Sequence, residues 1–580
     1  MNIAIILIGS LILLALGYIF YGGWLAKQWG VEPDRKTPAH ELEDGMDYVP
    51  AKTPVLMGHH FSSIAGAGPI NGPIQAAIFG WVPVLLWVLI GGIFMGGVHD
   101  FGALFASVRN KGQSIGEVIH NTMGRRAKRL FLVFGFLTLV LVVAAFSAIV
   151  ASTFGTTNAA GVAVTGAALS SHLSTATISV LFIVLAILFG VFVYRLNTNL
   201  AVASIVGVLG IVGIVALGLN WHPIALSYNA WMWILGVYIL IASVTPVWIL
   251  FQPRDYLSSF LLYFMMGVSV IAIVGAAITG TGHTDIPAFT GFTAPESNGL
   301  FATGTLFPAL FITIACGAIS GFHSLVSSGT TAKQIDNERS MKPVSYGSML
   351  IECALAVISI CAIGYVWHTI QTTPDLAAAG LTSPPTIFAL GISNMLGTFL
   401  GDSAAAVAYS LLVLAVSVFC LTSLDTATRL ARYMFQELWV DDGSSWKDVT
   451  GFRKVLVNPY VATLFTVVPG VALGMTGYTK IWPLFGAANQ LLAALGLLAV
   501  CAWLGNVGKN NKMFYVPMCF MLIVTISSLI QTIIAKFTGP IDVWAIVQAV
   551  IAILLVVLAI VLTVESIRTL VAQHKAKAKA

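Results

Sequence analysis

His59, His60, His99 and His323 stand in stretches that are otherwise apolar, as do Asp100 and Glu352. A charged group inside a membrane span costs about 2.5–3.5 kcal/mol on insertion scales, so each such residue needs a partner or a task. Histidine changes charge nearest neutral pH and suits a proton relay, whereas a neutral histidine satisfied by a backbone carbonyl is the structural alternative. Glu352, two turns into its apolar run, could carry a proton or pair with an arginine at the membrane face. The candidates for ion coupling are therefore His59, His60, Asp100, His323, Ser327, Ser328 and Glu352. A proton is the expected coupling ion, with sodium the alternative, and the residues fix no cofactor. His59, His60, His99 and Asp100 also have the ligand chemistry of a zinc-type transition-metal site. Asp100 beside His99 has equally the chemistry of a group that orients a ligand from behind. The relay and metal readings both stay open.

A second chemistry lies in backbone that cannot form a continuous helix. Gly58-His59-His60-Phe61-Ser62-Ser63-Ile64-Ala65-Gly66-Ala67-Gly68-Pro69-Ile70-Asn71-Gly72-Pro73 packs two prolines and four glycines into one apolar span. Proline removes a donor and clashes with the preceding turn, and each glycine costs about 1 kcal/mol relative to alanine. Freed amides and carbonyls cannot face lipid, so this segment must line a cavity or be buried in protein. A close-packed kink is the alternative to a binding site. Ser243-Val244-Thr245-Pro246-Val247-Trp248 and the hydroxyl-rich run Ala315 to Thr331 have a similar character. The candidate substrate contacts are Gly66, Gly68, Pro69, Asn71, Gln75, Ser243, Thr245, Trp248 and Ser320. Arg254 with Asp255, and Asp425 with Arg429 one turn later, read as gate or structural ion pairs.

These residues sit in a chain of 580 residues, 58% hydrophobic and 9% charged, where soluble proteins carry about 25% charged residues. Such a composition excludes a soluble fold and nucleic-acid binding, despite the net charge of +5. The expected fold class is an all-α polytopic membrane protein. Apolar runs near the ~20 residues needed to cross a bilayer begin near positions 3, 58, 80, 130, 176, 199, 231, 258, 306, 345, 402, 458, 481, 513 and 543, giving about fifteen spans. The run 382 to 396 is short and reads as an outer re-entrant or surface segment. Residues 1 to 24 lack a basic start and a cleavage site, and read as a retained first helix. The six cysteines all fall in apolar runs without CxxC spacing and read as small buried hydrophobes.

Basic residues collect in cytoplasmic loops. With strict alternation, a periplasmic N-terminus and a cytoplasmic C-terminus, only Lys480 and Lys536 of the 28 Lys and Arg fall on the outer side. The expected location is a bacterial inner membrane. Spans two and seven run in opposite directions, as paired members of an inverted repeat must. This gives a first helix and loop (1–57), repeats over 58–219 and 231–426, four further spans over 457–567, and a basic tail over 568–580. A rival pairing is visible, since Gly58-His59-His60 followed by Gly66 resembles Gly321-Phe322-His323 followed by Gly329.

The chain contains no HExxH, Walker A or serine-elbow sequence, so an enzyme and an ATP-driven pump are not expected. A channel or a nutrient-sensing receptor is the alternative to a carrier. Pro33-Asp34-Arg35-Lys36-Thr37-Pro38-Ala39, Asp44-Gly45-Met46-Asp47-Tyr48-Val49-Pro50 with the stretch to Pro73, and Pro253-Arg254-Asp255-Tyr256-Leu257-Ser258 resemble one known family, as do Asp425 with Arg429 and Arg432, and Trp482-Pro483-Leu484-Phe485-Gly486 with Ala488-Asn489-Gln490. This is the carbon starvation protein A family of bacterial transporters. The resemblance implies a distant relative of LeuT-type transporters with a 5+5 inverted-repeat core and broken helices. It also implies secondary uptake of peptides or pyruvate, commonly coupled to protons, during nutrient limitation. The partners implied are a small-molecule or peptide substrate and the lipid bilayer.

Overall fold

The computed structural model describes residues 1–579 apart from 45–47, 197, 247–248, 295–299, 377–378, 382, 442–447 and 540–541. Trp248 lies outside the described residues. Among those described, the backbone is helical with isolated bridges as its only β pairing, the outcome expected where lipid leaves no water to satisfy amides. Eleven helices are long and apolar enough to cross a membrane. These are α1 (Ile3–Trp29), α4 (Trp81–Arg109), α5 (Arg125–Phe154), α6 (Ala168–Val193), α7 (Ala201–Asn220), α9 (Phe251–Ile278), α12 (Glu338–Thr372), α14 (Asp402–Glu437), α16 (Tyr478–Asn506), α17 (Lys512–Thr538) and α18 (Val543–Gln573). The other four expected spans are two shorter apolar helices, α8 (Tyr228–Val244) and α15 (Pro459–Gly474), and two interrupted ones. The interrupted ones are α2 (Thr53–Ile64) with α3 (Gly68–Ala76), and α10 (Leu306–Thr313) with α11 (Gly321–Gly329).

The first interruption falls at Ala65, whose ψ of 71° leaves the helical region. The chain then resumes as helix at Gly68, so the span is discontinuous, as the glycine-proline run predicts. Pro69 occupies the first turn of α3, where its missing N–H is no loss. Pro73 lies inside α3, so the carbonyl four residues earlier, on Pro69, has no helical donor. The second interruption runs from Ile314 (ψ 61°) to Ser320 (φ −135°, ψ 126°). It lies in the ninth expected span and not in the seventh. The seventh, α8, is regular to Val244 and stops before Pro246, because proline disfavours helical geometry in the residue before it. The span that carries the second interruption is the one in which Gly321-Phe322-His323 and Gly329 fall.

After each interruption the helix lengths repeat. The first is followed by 29 and 30 residues (α4, α5), then 17 (α8) and 28 (α9). The second is followed by 35 and 36 (α12, α14), then 16 (α15) and 29 (α16). Corresponding members meet: α5 packs on α14, α8 on α15, α3 on α10 and α2 on α11. The hairpin α6–α7 interrupts the first series, and most of the apolar stretch of α7 is exposed. Helix α13 (Pro384–Leu400) accounts for the run from 382. It is mostly buried and packs on α3, α9, α12 and α14, which corrects the surface reading. Helix α16 is buried along its whole apolar stretch.

Candidate functional site

The two interruptions press against each other through glycines. A Cβ on Gly68 would lie 2.2 Å from Cys316 Cβ, and one on Gly72 would lie 2.7 Å from the Thr313 carbonyl oxygen. A Cβ on Gly66 would meet the Phe146 ring at 2.9 Å and the Ser423 hydroxyl at 3.0 Å, and Pro69 lies against Gly317. No side chain larger than hydrogen lets α3 come this close. On the same short helix Asn71 is wholly buried, yet neither its amide nitrogen nor its oxygen has a hydrogen-bond partner. The Gln75 side-chain nitrogen is also buried and unpartnered, while its backbone carbonyl accepts from Ala302 N–H at 2.9 Å. An unmade hydrogen bond on a buried amide costs about 1–3 kcal/mol, and three such atoms lie on α3.

Below this lies an acid-base cluster. Both Asp100 oxygens are engaged: His99 Nδ1 lies 2.8 Å from Oδ1, and His323 Nδ1 lies 2.8 Å from Oδ2. The far nitrogen of His323, Nε2, is 3.3 Å from Glu352 Oε2, and all four side chains are buried. An ionised Asp100 accepts from both Nδ1–H groups. The remaining proton can then sit on His323 Nε2 or on Glu352, so imidazolium–carboxylate and imidazole–carboxylic acid are two states of one pair. Asp100 and His99 come from α4, His323 from α11 and Glu352 from α12, so the cluster spans an interrupted helix and two regular ones. His60, electrostatically close to Asp100 and His323, places its Nδ1 2.8 Å from the Thr331 hydroxyl. The Ser327 hydroxyl is buried without a partner, and Ser328 donates to Ser324 O and accepts from Ile115 N–H. His59 Nδ1 lies 3.4 Å from Asp255. Among the described residues no group of three or more His, Cys, Asp or Glu side chains is arranged to hold a metal ion.

The charged pairs depart from the sequence spacing. Asp425 is bound not by Arg429 but by Arg254 Nη1, and it accepts from the Tyr238 hydroxyl at 2.7 Å. Arg254 also reaches Tyr238 at 2.5 Å and Asp255 at 3.7 Å. The bridge therefore joins α9 to α14 through α8. The Arg254–Asp255 pair expected from the sequence is present, at 3.7 Å, but Asp425 pairs with Arg254 and not with Arg429, because a side chain reaching across helices finds a carboxylate that its neighbour along one helix cannot present face-on. Arg429 instead donates to the carbonyls of Thr245 and Ala242. Ser243 and Thr245 are not brought to Asn71. The Ser243 hydroxyl lies 3.2 Å from that of Thr463, and Thr245 ends α8.

Helix α16 supplies what the sequence reading left without a role. Asn489 Oδ1 accepts from Phe322 N–H at 2.9 Å, and its Nδ2 donates to the Ser320 hydroxyl at 3.0 Å. Gln490 donates to Phe311 O and the Trp482 indole to Thr313 O. Three side chains of one helix thus satisfy backbone freed by the second interruption. An adjacent Asn-Gln pair in an otherwise apolar span was the available signal.

A family model described as carbon starvation protein CstA matches residues 2–379 and 366–528. A peptide transporter CstA of Bacillus subtilis (strain 168) is 34% identical over 538 residues, covering 86% of this chain and 84% of that protein. The pyruvate/proton symporter BtsT of Escherichia coli (strain K12) is 29% identical over 602 residues, covering 90% of this chain and 80% of that one. Among solved structures, MhsT in complex with L-phenylalanine covers 89% of this chain and 99% of its own at 12% identity, with a TM-score of 0.46. With two interrupted helices packed at a buried polar site and a match to the family model along most of its length, this chain belongs to the carbon starvation protein CstA family.

Proposed function

We propose that the chain is a secondary active transporter that imports a small carboxylate-bearing nutrient, pyruvate or a short peptide, across a bacterial inner membrane, with proton coupling. The single observation that carries this reading is Asn71, a wholly buried amide with both ends unpartnered beside the first interruption. Amides at the start of a half-helix attract anions, and a carboxylate is what pyruvate and a peptide C-terminus share. Interrupted helices are where carriers of this architecture hold substrate. The relatives named for peptide transport and for pyruvate/proton symport agree with a carrier.

In this reading the repeats run 53–278 and 306–506, each an interrupted helix, two long helices, a short one and a long one, with α6–α7 inserted in the first and α13 in the second. Proton coupling belongs to Asp100, His323 and Glu352, with His99 orienting Asp100. The N-terminus is periplasmic and the C-terminus cytoplasmic, because the opposite orientation would strand nearly all basic loops outside. Counterflow in proteoliposomes tests the substrate class: labelled pyruvate and labelled dialanine are each offered against unlabelled stocks. Saturable exchange of at least one supports the reading, and exchange of neither overturns it.

A further inference from the structure

Arg429 is a buried cation without an anion. Its guanidinium lies 4.2 Å from the centre of the Phe251 ring and donates to two carbonyls, of Ala242 and Thr245. Its Nε is buried with no acceptor. The spacing to Asp425 promises a partner, but that carboxylate is held by Arg254 and Tyr238. Among the described residues no carboxylate lies within ion-pair distance of Arg429, although the residue is only 8% exposed. An arginine cannot shed its charge, and a buried charge without a counterion is strongly unfavourable.

Arg429 borders a cavity of about 60 Å³. The wall includes Lys333, Thr330, Thr426, His59 and Ser63. Asp255 is its one acid, already engaged by His59 and Arg254. A water-sized group needs roughly 10–15 Å³, so a carboxylate fits with its first waters. Ser63 places the floor two residues from the interruption at Ala65. The rim, through Lys333 and Gln334, belongs to the basic loop on the face read above as cytoplasmic.

We propose that this cavity is a second carboxylate-binding station, in which Arg429 receives the substrate carboxylate between the Asn71 site and the cytoplasm. The proposal rests on the transport reading above and adds a site to it. Arg429 supplies Nε–H to one carboxylate oxygen, the Phe251 face holds the guanidinium plane, and the Thr426 hydroxyl closes the other side.

The test separates the two faces of the membrane. Proteoliposomes of one known orientation are assayed with pyruvate and with dialanine, varied once on the cytoplasmic face and once on the periplasmic face. The parent is compared with Arg429→Gln, Arg429→Lys and Thr426→Val. Loss of a charge-assisted hydrogen bond corresponds to about a tenfold change or more. Arg429→Gln is therefore expected to raise the half-saturating cytoplasmic concentration about tenfold and to leave the periplasmic value unchanged. Arg429→Lys keeps the charge and recovers part of the loss. Thr426→Val, which removes one hydroxyl and buries no charge, shifts the cytoplasmic value alone and decides the matter if Arg429→Gln does not assemble. Equal shifts at both faces, or none at either, would overturn the station while leaving the transport reading intact. Absence of flux in the parent would overturn the transport reading, and the station with it.

Discussion

The Nε2 of His323 lies 3.3 Å from Oε2 of Glu352, and both side chains are shut away from solvent. Asp100 already holds the other nitrogen of His323, which leaves Nε2 facing the Glu352 carboxyl. Glu352→Gln keeps the volume and removes the titrating oxygen. It is expected to abolish accumulation of substrate against its gradient while one-for-one exchange continues. His323→Gln is expected to behave in the same way. Parallel accumulation and counterflow assays check this, and full proton-driven accumulation in both variants would remove the pair from the mechanism.

Gly68 faces Cys316 so closely that any side chain collides. Overfilling a packed interior costs about 1–3 kcal/mol or moves the backbone. Gly68→Val is expected to raise the apparent dissociation constant at least tenfold. Gly91 is a poor control, because a Cβ there meets Ala318 and Trp87 at 3.1 Å. Gly213, with nothing within 4 Å of such a Cβ, is the proper one, and Gly213→Val is expected to bind like the parent. Equilibrium binding of labelled pyruvate or dialanine, on protein shown monodisperse by gel filtration, distinguishes them.

The bridge from Arg254 to Asp425 is buried on both sides. Removing one partner leaves a charge stranded, at about 3–5 kcal/mol, whereas removing both with apolar residues of similar size is far milder. Arg254→Met and Asp425→Leu are each expected to lower thermal stability sharply, and the double variant to recover much of it. Additive losses in the double variant would show that the two do not act as a pair.

Asn489 clamps the second interruption. Asn489→Leu leaves the Phe322 N–H and Ser320 hydroxyl without their partner, at about 1–3 kcal/mol for each unsatisfied group. The expected result is a lower melting temperature together with weaker substrate binding, since α11 carries His323. A melting temperature equal to the parent's would mean that water or backbone rearrangement replaces the clamp.

Where the sequence succeeded, the signal was local. Long apolar runs around α5 or α14 admit one structure in lipid, and the glycine-proline density at Gly66–Pro73 announces an interruption without any partner in view. The second interruption was harder to place, because Thr245-Pro246 and Gly317–Ser320 both contain helix-disfavouring residues. Only packing against α3 distinguishes them: Cys316 and Thr313 lie on Gly68 and Gly72, while Ser243 faces Thr463. Ion-pair partners were illegible for a related reason. Spacing along one helix links Asp425 to Arg429, but the bridge that forms crosses from α9 to α14. The His323, Asp100 and Glu352 cluster was visible as a set of buried titratable residues, but its order was not, since its members lie on three separate elements.

The most direct measurement is accumulation of labelled pyruvate and of labelled dialanine in proteoliposomes under an imposed pH gradient, acidic on the periplasmic face, for the parent and for Asn71→Leu. The account predicts saturable accumulation of at least one substrate in the parent, collapsed by a protonophore. Asn71→Leu, which fills the same space without amide groups, should lose it while retaining the parent's gel-filtration profile. Accumulation by Asn71→Leu at the parent's level, or non-saturating flux in the parent that ignores the pH gradient, would contradict the account.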